Sequence, residues 1–156
     1  PAIKEIHKTE PQTTFVIAGK GKYNFDISEY ENLNYIDIRN RFIPDNELVG
    51  LIQKCQFCIL PYIDATQSGV VMSAFAFNKP CVVTNVGGLP EMVKDQCYGL
   101  VIPPRNTQAI VDSVNYLLTH PQVLSKMSNR IKNDFHSGNL SWSVVADNTI
   151  NFYKSI

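Results

Sequence analysis

The sequence has no excess of charge of either sign. Fourteen lysines and arginines are matched by fourteen aspartates and glutamates in 156 residues, which gives a formal net charge of zero. Nucleic acid and anionic membrane surfaces usually attract proteins through an excess of positive charge. We therefore expect no nucleic-acid partner, whereas the neutral charge does not exclude binding of a small ligand.

Long hydrophobic runs are also missing. The longest, FCILPYI and VVMSAFAF, are far shorter than the roughly 20 residues that a membrane-spanning helix needs, so we expect a soluble, cytoplasmic protein. The first residues, PAIKEIHKTEP, have neither an initiating Met nor the basic and apolar segments of a signal peptide. We interpret this start as a cut inside a longer chain.

No set of side chains has the spacing of a metal site. The chain has four cysteines: Cys55, Cys58, Cys81 and Cys97. The first two form a C-x-x-C pair, but no second such pair and no His pair completes a tetrahedral zinc site. Cys58 and Cys81 lie in strand-like apolar runs, where a free thiol behaves as a small apolar group. We expect reduced, buried thiols and no bound metal.

No nucleophilic catalytic set can be assembled either. The three histidines, His7, His120 and His136, lie far from other candidate residues in the sequence, and we interpret them as surface groups. Asp64 and Glu91 are single carboxylates without an evident partner. The catalytic residues therefore remain unknown from the sequence.

The chain does contain an alternation of short β-branched runs and segments of helical period, which is typical of β-α units on a parallel sheet. The predicted strands are TTFVIAG, LNYIDI, QFCILPY, PCVVTNV and YGLVIP. FVIAG and FCILP are apolar almost throughout, as expected for strands that are covered on both faces. The length fits one domain of ordinary size.

Helices are predicted between and after these strands. IPDNELVGLIQKC begins with Asp45 and Asn46 as capping residues, and further helices are expected at about 68–78 and 89–94. After YGLVIP only helices follow, the last one from a Ser141 cap. The fold class is therefore α/β, with helices on both faces of a parallel sheet.

The loops after the strands are the candidate binding sites, because ligands of open α/β sheets lie outside the carboxyl ends of the strands. These loops read GKGKYN, RNRFIPD, IDATQSG and VGGLPE. The third leads into a predicted helix, whose first turn would contain Ser68 and Gly69. Amides at a helix start have no partner within the helix and attract anions, and glycine permits close approach. The segment predicts a phosphate site, or else Asp64 and Gln67, or Thr66 and Ser68, only cap the helix.

The other glycines are weaker signals. Gly87 and Gly88 either form only a tight turn with positive backbone dihedrals or also let a ligand approach the backbone. Gly19 and Gly21 belong to AGKGK, which has the spacing of neither a P-loop nor a dinucleotide-binding fingerprint. An ordinary turn after a strand is favoured for that loop.

Two arginines follow the second predicted strand. Arg39 and Arg41 could pair with phosphate or lie along a nucleotide base, although arginines at a surface are commonly without such a role. The residues themselves do not decide between these alternatives.

The motifs taken in order carry a resemblance. The run ILPYIDATQSGVVMSAFAFNKPCVVTNVGGLPEMV, with FVIAGKG before it and GLVIPPRNTQAI after it, resembles the C-terminal half of family 4 glycosyltransferases, which are retaining enzymes of the double-Rossmann GT-B architecture. The resemblance covers roughly residues 10–120. It implies a Rossmann-like domain whose first strand is missing, and a nucleotide-sugar donor that is bound without a metal or other cofactor.

The resemblance also implies roles for individual residues. Backbone amides near the donor pyrophosphate correspond to one segment: Gln67, Ser68, Gly69 and Val70. Arg41 and Phe42 fall in the loop that lies along the base. The loops near the donor sugar contain four glycines: Gly19, Gly21, Gly87 and Gly88.

One departure concerns the ribose. The family usually has two glutamates eight positions apart, and here Ala65 and Ser73 occupy those positions. Ser73 can still form a hydrogen bond and Asp64 stands one residue from the first position, so these two side chains are the ribose candidates. We interpret ATQSG as a subfamily variant.

The resemblance places several parts of such an enzyme outside this chain. The usual phosphate-binding Arg and Lys lie upstream, and the acceptor is held by an N-terminal domain, through which any peripheral membrane contact would occur. We expect residues 1–140 to bind the donor, residues 141–156 to form a helix packing toward that N-terminal domain, and the fragment to be inactive alone. Polysaccharide or glycoconjugate synthesis is the expected context.

Two alternatives remain. A nucleotide-sugar epimerase of the same architecture would need acid and base carboxylates near the sugar, and no convincing set is present. A non-catalytic Rossmann-like interaction domain is favoured by the absent glutamates and opposed by the retained QSG and GGLPE segments.

Overall fold

A computed structural model of the chain describes residues 1–22, 26–138 and 140–155. Its elements in chain order are α1 (Ala2–Thr9), β1 (Phe15–Ala18), α2 (Ser28–Glu31), β2 (Ile36–Arg39), α3 (Asp45–Lys54), β3 (Cys58–Leu60), α4 (Gly69–Ala76), β4 (Cys81–Thr84), α5 (Leu89–Val93), β5 (Gly99–Ile102), α6 (Thr107–Thr119), α7 (Pro121–His136) and α8 (Trp142–Lys154).

All the strands predicted from the sequence are present and pair in parallel. Each overlaps the run assigned to it, although every run includes flanking residues that lie outside the strand. Phe15 lies beside Ile36 in the register of β1 and β2. Cys81 of β4 lies between Cys58 of β3 and Gly99 of β5. The β-branched runs thus identify the strands but overestimate their lengths.

The strands form two sheets rather than one continuous sheet. β1 pairs with β2, and β4 lies between β3 and β5. Within the part of the chain that the structure describes, β1 and β3 therefore each have a single strand neighbour. The two sheets share a core, because Phe15 of β1 and Ile59 of β3 both pack against the cluster that contains Ile6 of α1 and Val114 of α6.

The three-stranded sheet has helices on both faces, as predicted. Val82 and Val83, adjacent in β4, are both fully buried and point to opposite faces. Val83 belongs to the cluster that contains Phe75 of α4 and Leu89 of α5, whereas Val82 packs with Leu117 of α6. Burial on both sides explains why this strand is a continuous apolar run.

The two-stranded sheet differs from the prediction. FVIAG was expected to be covered on both faces, but Val16 is 49% exposed and Ala18 is also exposed. Phe15 packs inward on the cluster of α1 and α6. The prediction for β1 is therefore wrong, because helices cover only the face of the sheet on which Phe15 lies.

The helices begin close to the predicted positions, with one correction. Asp45 and Asn46 lie in the first turn of α3, and Pro44 holds the N-cap position without a side-chain hydrogen bond. Ser141 does cap α8, accepting a hydrogen bond from the Val144 amide at 3.5 Å. None of the helices that the structure describes combines the length and apolar content required to cross a bilayer.

Candidate functional site

The predicted phosphate segment leads into α4 as expected. Ser68 occupies the N-cap position in an extended conformation, and α4 begins at Gly69. Val71 and Phe75 of this helix are almost completely buried against the three-stranded sheet. The Ser68 side chain makes no capping hydrogen bond with any described residue, so the capping alternative finds no support at Ser68.

The first turn of α4 leaves backbone donors available. The first hydrogen bond of the helix runs from the Met72 amide to the Ser68 carbonyl, at 3.5 Å. The amides of Gly69, Val70 and Val71 precede it and have no acceptor inside the helix. A Cβ atom on Gly69 would meet nothing described within 4 Å. Gln67 beside it is exposed. The helix start is therefore open to an anion.

The loop after β4 is locked against this segment. Gly87 has a φ of +50°, and a Cβ atom there would lie 1.6 Å from the Ala65 carbonyl oxygen. The Gly88 amide donates a hydrogen bond to the Thr66 carbonyl at 2.9 Å. Thr84 Oγ1 donates to the Tyr62 carbonyl at 2.6 Å. Both glycines lie in the tight turn that is closed by the hydrogen bond from the Leu89 amide to the Val86 carbonyl at 3.2 Å, but only Gly87 has the predicted positive φ. Both glycines bring the two loops into backbone contact.

The loop after β1 contacts the loop after β2. The Gly19 amide donates to the Arg39 carbonyl at 3.2 Å, and the Gly21 amide donates to Asn40 Oδ1 at 3.0 Å. Gly19 has a φ of +138°, which favours glycine at this turn. Tyr23 and Asn24, at the end of the GKGKYN segment, lie outside the described residues. The predicted glycines Gly19 and Gly21 are thus hydrogen-bonded to the loop that follows β2.

The two arginines share one carboxylate. Arg41 Nη1 and Nη2 donate to the two carboxylate oxygens of Glu47 at 2.8 and 2.7 Å. Arg39 donates to Glu47 at 2.8 Å and to Asp37 at 2.6 and 3.0 Å. Arg41 and Arg39 hold the pKa of Glu47 below its usual range, while Asp37 and Glu47 raise the pKa of Arg39. Phe42 next to this cluster is 75% exposed.

The ribose candidates are not in contact with each other in any described interaction. Ser73 Oγ donates a hydrogen bond to the Gly69 carbonyl at 2.9 Å, one turn earlier in α4. Its oxygen can still accept a hydrogen bond. Asp64 is exposed in the loop before α4. Of the two, Ser73 is the one attached to the helix whose start is open.

The C-x-x-C thiols lie at the opposite end of β3 from these loops. Cys55 Sγ and Cys58 Sγ are 3.7 Å apart. The contact with Cys58 and burial raise the pKa of the Cys55 thiol. At Cys58 the contact with Cys55 lowers the pKa, but the contact with Cys81 and burial raise it to about 12 overall. Such thiols are poor nucleophiles at neutral pH.

Metal-binding and histidine candidates are few. Within residues 1–22, 26–138 and 140–155, no three His, Cys, Asp or Glu side chains are grouped so that they could hold a metal ion. His7 is not the surface group that the sequence predicted. It is half-buried and stacks on Tyr35, with ring centroids 3.5 Å apart, because α1 lies against the start of β2.

Sequence reasoning missed three residues that shape the loops. Thr84 and Asn40 support neighbouring loops through single hydrogen bonds, and neither has a motif around it. From the sequence, Glu47 is indicated only as one residue of a predicted helix. Its position in the first turn after RNRF, six and eight residues from the arginines, was the available signal.

The family model for glycosyl transferases group 1 matches residues 1–120. An uncharacterized glycosyltransferase of Methanocaldococcus jannaschii is 29% identical over 161 residues, covering 99% of this chain and 39% of that protein. The chain thus spans about two fifths of the length of this relative.

Two solved structures have a similar fold. Sucrose-phosphate synthase from Thermosynechococcus elongatus superimposes with a TM-score of 0.74 at 17% identity, covering 99% of this chain and 41% of that one. Anabaena HepE in complex with UDP-glucose gives a TM-score of 0.69 at 16% identity, with 94% and 42% covered.

At these identities the similarity shows the fold alone, which is that of the C-terminal domains of GT-B glycosyltransferases. The expected fold class is therefore confirmed. Since the family model matches well over half of the sequence, the chain belongs to the group 1 glycosyl transferases.

Proposed function

We propose that this chain is the donor-binding domain of a retaining glycosyltransferase that moves a sugar from a nucleoside diphosphate to an acceptor, in polysaccharide or glycoconjugate synthesis. The observation that carries the proposal is the open start of α4, held in backbone contact with the Gly87–Gly88 loop. Family membership supports sugar transfer. The complex of HepE with UDP-glucose, a protein of the same fold, supports a nucleotide-sugar donor.

The chemistry assigned to this site is stabilisation of the leaving group. When the bond between the sugar and the diphosphate breaks, negative charge develops on the phosphate oxygens. Amides of Gly69 and Val70, together with the partial positive charge of the helix start, would interact most strongly at that stage. We propose that this occurs without a bound metal, with the remaining positive charge supplied by residues upstream of this chain.

The proposal also covers two contacts that this chain would make with the rest of the protein. The edges of β1 and β3 that lack a strand partner among the described residues would pair with a strand from upstream. None of the residues described in α8 is buried, and Trp142 is 84% exposed. We assign this helix to contact with an N-terminal acceptor domain, and we expect no transfer by residues 1–156 alone.

The experiment is a calorimetric titration of the full-length protein with UDP, GDP and ADP. Gly69→Pro removes one amide donor at the first helical position, where proline is tolerated, and Ser68 already has the extended conformation that precedes proline. We expect binding to weaken about tenfold or more, since hydrogen bonds to charged groups contribute about 1.5–3 kcal/mol.

Gly69→Ala is the matched control, because it keeps the amide and its Cβ atom has open space. Its affinity should stay close to that of the wild type. If the wild-type protein binds none of the three nucleotides, the proposed function is wrong. If the proline and alanine variants bind equally well, the phosphates do not lie at the start of α4.

A further inference from the structure

Two thiols lie side by side at the end of β3 that is remote from the start of α4. Cys55 is the C-cap residue of α3, and Cys58 is the first residue of β3. Their sulfur atoms are 3.7 Å apart. A disulfide bond is about 2.0 Å long, so the two sulfur atoms are already in van der Waals contact and need to approach by less than about 2 Å to be joined. The fold thus brings together both thiols of the C-x-x-C motif.

This pair of thiols is accessible to a soluble reagent. Cys55 and Cys58 are half-buried, and Gln56 between them is exposed. Cys81 of β4 lies beside Cys58 in the register of the sheet, but it is fully buried, and its sulfur contacts the Lys79 carbonyl at 3.9 Å. A reagent in solution therefore reaches Cys55 and Cys58 in preference to Cys81.

The surroundings of the pair favour thiols over thiolates. Catalytic C-x-x-C thiols have a lowered pKa, which a helix N-terminus supports, whereas Cys55 lies at the C-terminus of α3, where the helix dipole disfavours negative charge. The contact with Cys55 and the charge of Lys79 lower the pKa of the Cys58 thiol, but the contact with Cys81 and burial raise it to about 12 overall. Stabilised thiolates make a disulfide strongly oxidising, so a dithiol without that stabilisation is easier to oxidise. Such a pair exchanges slowly but is stable once oxidised, unlike the site of a catalytic oxidoreductase.

We propose that Cys55 and Cys58 are a modification site, at which a low-molecular-weight disulfide such as oxidised glutathione converts the two thiols into a reversible disulfide bond. One protein thiolate attacks a sulfur of oxidised glutathione, whose S–S bond breaks and releases one glutathione. The second protein thiolate attacks the protein sulfur of this mixed disulfide and releases the other glutathione. The protein thiols lose two electrons and two protons, which the two glutathione molecules take up. The new bond joins the end of α3 to the start of β3.

The experiment is peptide mapping of the full-length protein after incubation with oxidised glutathione under native conditions. Remaining thiols are alkylated, and the protein is then cleaved before its aspartates. This cleavage separates the cysteines of this chain, with Cys55 and Cys58 in residues 45–63, Cys81 in 64–94 and Cys97 in 95–111. We expect the 45–63 peptide to lack two hydrogens and to carry no alkyl group, and reduction with dithiothreitol should restore alkylation of both thiols.

The rate of this reaction gives a second measurement. Contact with Cys58 and burial raise the pKa of the Cys55 thiol, and that of Cys58 also lies above neutral pH. The reacting thiolate is therefore a small fraction that increases with pH. Formation of the disulfide should become about tenfold faster for each pH unit above neutrality. A rate that does not change with pH would contradict attack by these thiols.

Three variants serve as controls for the mapping. Cys55→Ser and Cys58→Ser each leave one thiol in the pair, so both should stop at the mixed disulfide with glutathione on the 45–63 peptide. Cys97→Ser removes a half-buried thiol outside the pair and should leave the oxidation of the 45–63 peptide unchanged. The wild-type measurement does not require any of these variants to fold.

Three results for the wild-type protein would overturn the proposal. The first is a 45–63 peptide that still carries two alkylated thiols after the incubation. The second is glutathione retained on that peptide, because the neighbouring thiol would then be unable to displace it. The third is a cross-link between the 45–63 and 64–94 peptides, which would assign the reaction to Cys81. Because the mapping is done without a nucleotide, none of these results affects the proposed function.

Discussion

The two sheets of this domain support their loops in different ways. In the three-stranded sheet, every residue of β4 is buried, and the loops beyond it are joined by backbone contacts at Gly87 and Gly88. In the two-stranded sheet, β1 alternates between half-buried and exposed residues, and the loop after β2 depends on the ion pair between the exposed Arg41 and the half-buried Glu47. The phosphate candidates thus rest on a packed core, whereas the base candidates rest on polar contacts at the surface.

This contrast predicts that the same substitution lowers the free energy of unfolding by different amounts in the two sheets and their loops. The largest difference is expected for substitutions of glycine. Gly87→Ala puts a Cβ atom 1.6 Å from the Ala65 carbonyl oxygen at a positive φ. We expect a loss of about 3 kcal/mol or more in the free energy of unfolding, together with loss of nucleotide binding. Gly21→Ala has open space and should change stability by less than about 1 kcal/mol.

Urea unfolding of both variants, followed by circular dichroism, measures this difference. Equal midpoints for Gly87→Ala and Gly21→Ala would mean that the loops after β3 and β4 are not locked together. The contrast between a backbone-supported and a side-chain-supported half would then fail.

The second prediction compares two valines. Val83 is fully buried in β4, whereas Val16 in β1 is 49% exposed. Removing two methyl groups from a packed core costs both transfer free energy and the cavity, so Val83→Ala should lose about 2 kcal/mol. Val16→Ala should lose about 0.5 kcal/mol. A cost at Val16 as large as that at Val83 would show that the open face of β1 is packed in solution.

The sequence predicted local elements well for a physical reason. β-Branched runs such as CVVT and helical periods such as that of α3 depend on neighbours within a few residues. Division into two sheets could not be predicted, because lateral pairing depends on contacts that are distant in sequence. The buried face of β1 was overestimated for the same reason: FVIAG and FCILP look alike as sequences.

The site was predictable in part. The segment ATQSG was recognised as the entry to a helix because small residues precede an apolar run. Contact of Gly87 with Ala65, over a separation of 22 residues, had no local signal. Glu47 was missed because an acidic residue in the first turn of a helix already has an ordinary explanation, the interaction with the helix dipole.

The smallest effect on nucleotide binding is predicted at Ser73. It tests whether α4, whose start is the candidate phosphate site, also binds the ribose. Ser73 donates its proton to the Gly69 carbonyl, so only its oxygen is left to accept a hydrogen bond from a ribose hydroxyl. Ser73→Ala should hardly change stability, because alanine's higher helix propensity offsets the lost bond within α4. Nucleoside diphosphate binding to the full-length protein should weaken about twofold to tenfold, as for a neutral hydrogen bond.

The control for Ser73→Ala is the ligand itself. A 2′,3′-dideoxynucleoside diphosphate lacks the ribose hydroxyls, so its titration should give the same affinity for the variant and the wild type. An equal loss with both ligands would mean that the substitution disturbs the start of α4 rather than the ribose. No loss with either ligand would limit Ser73 to its role inside the helix, and α4 would then contact the donor only through its phosphates.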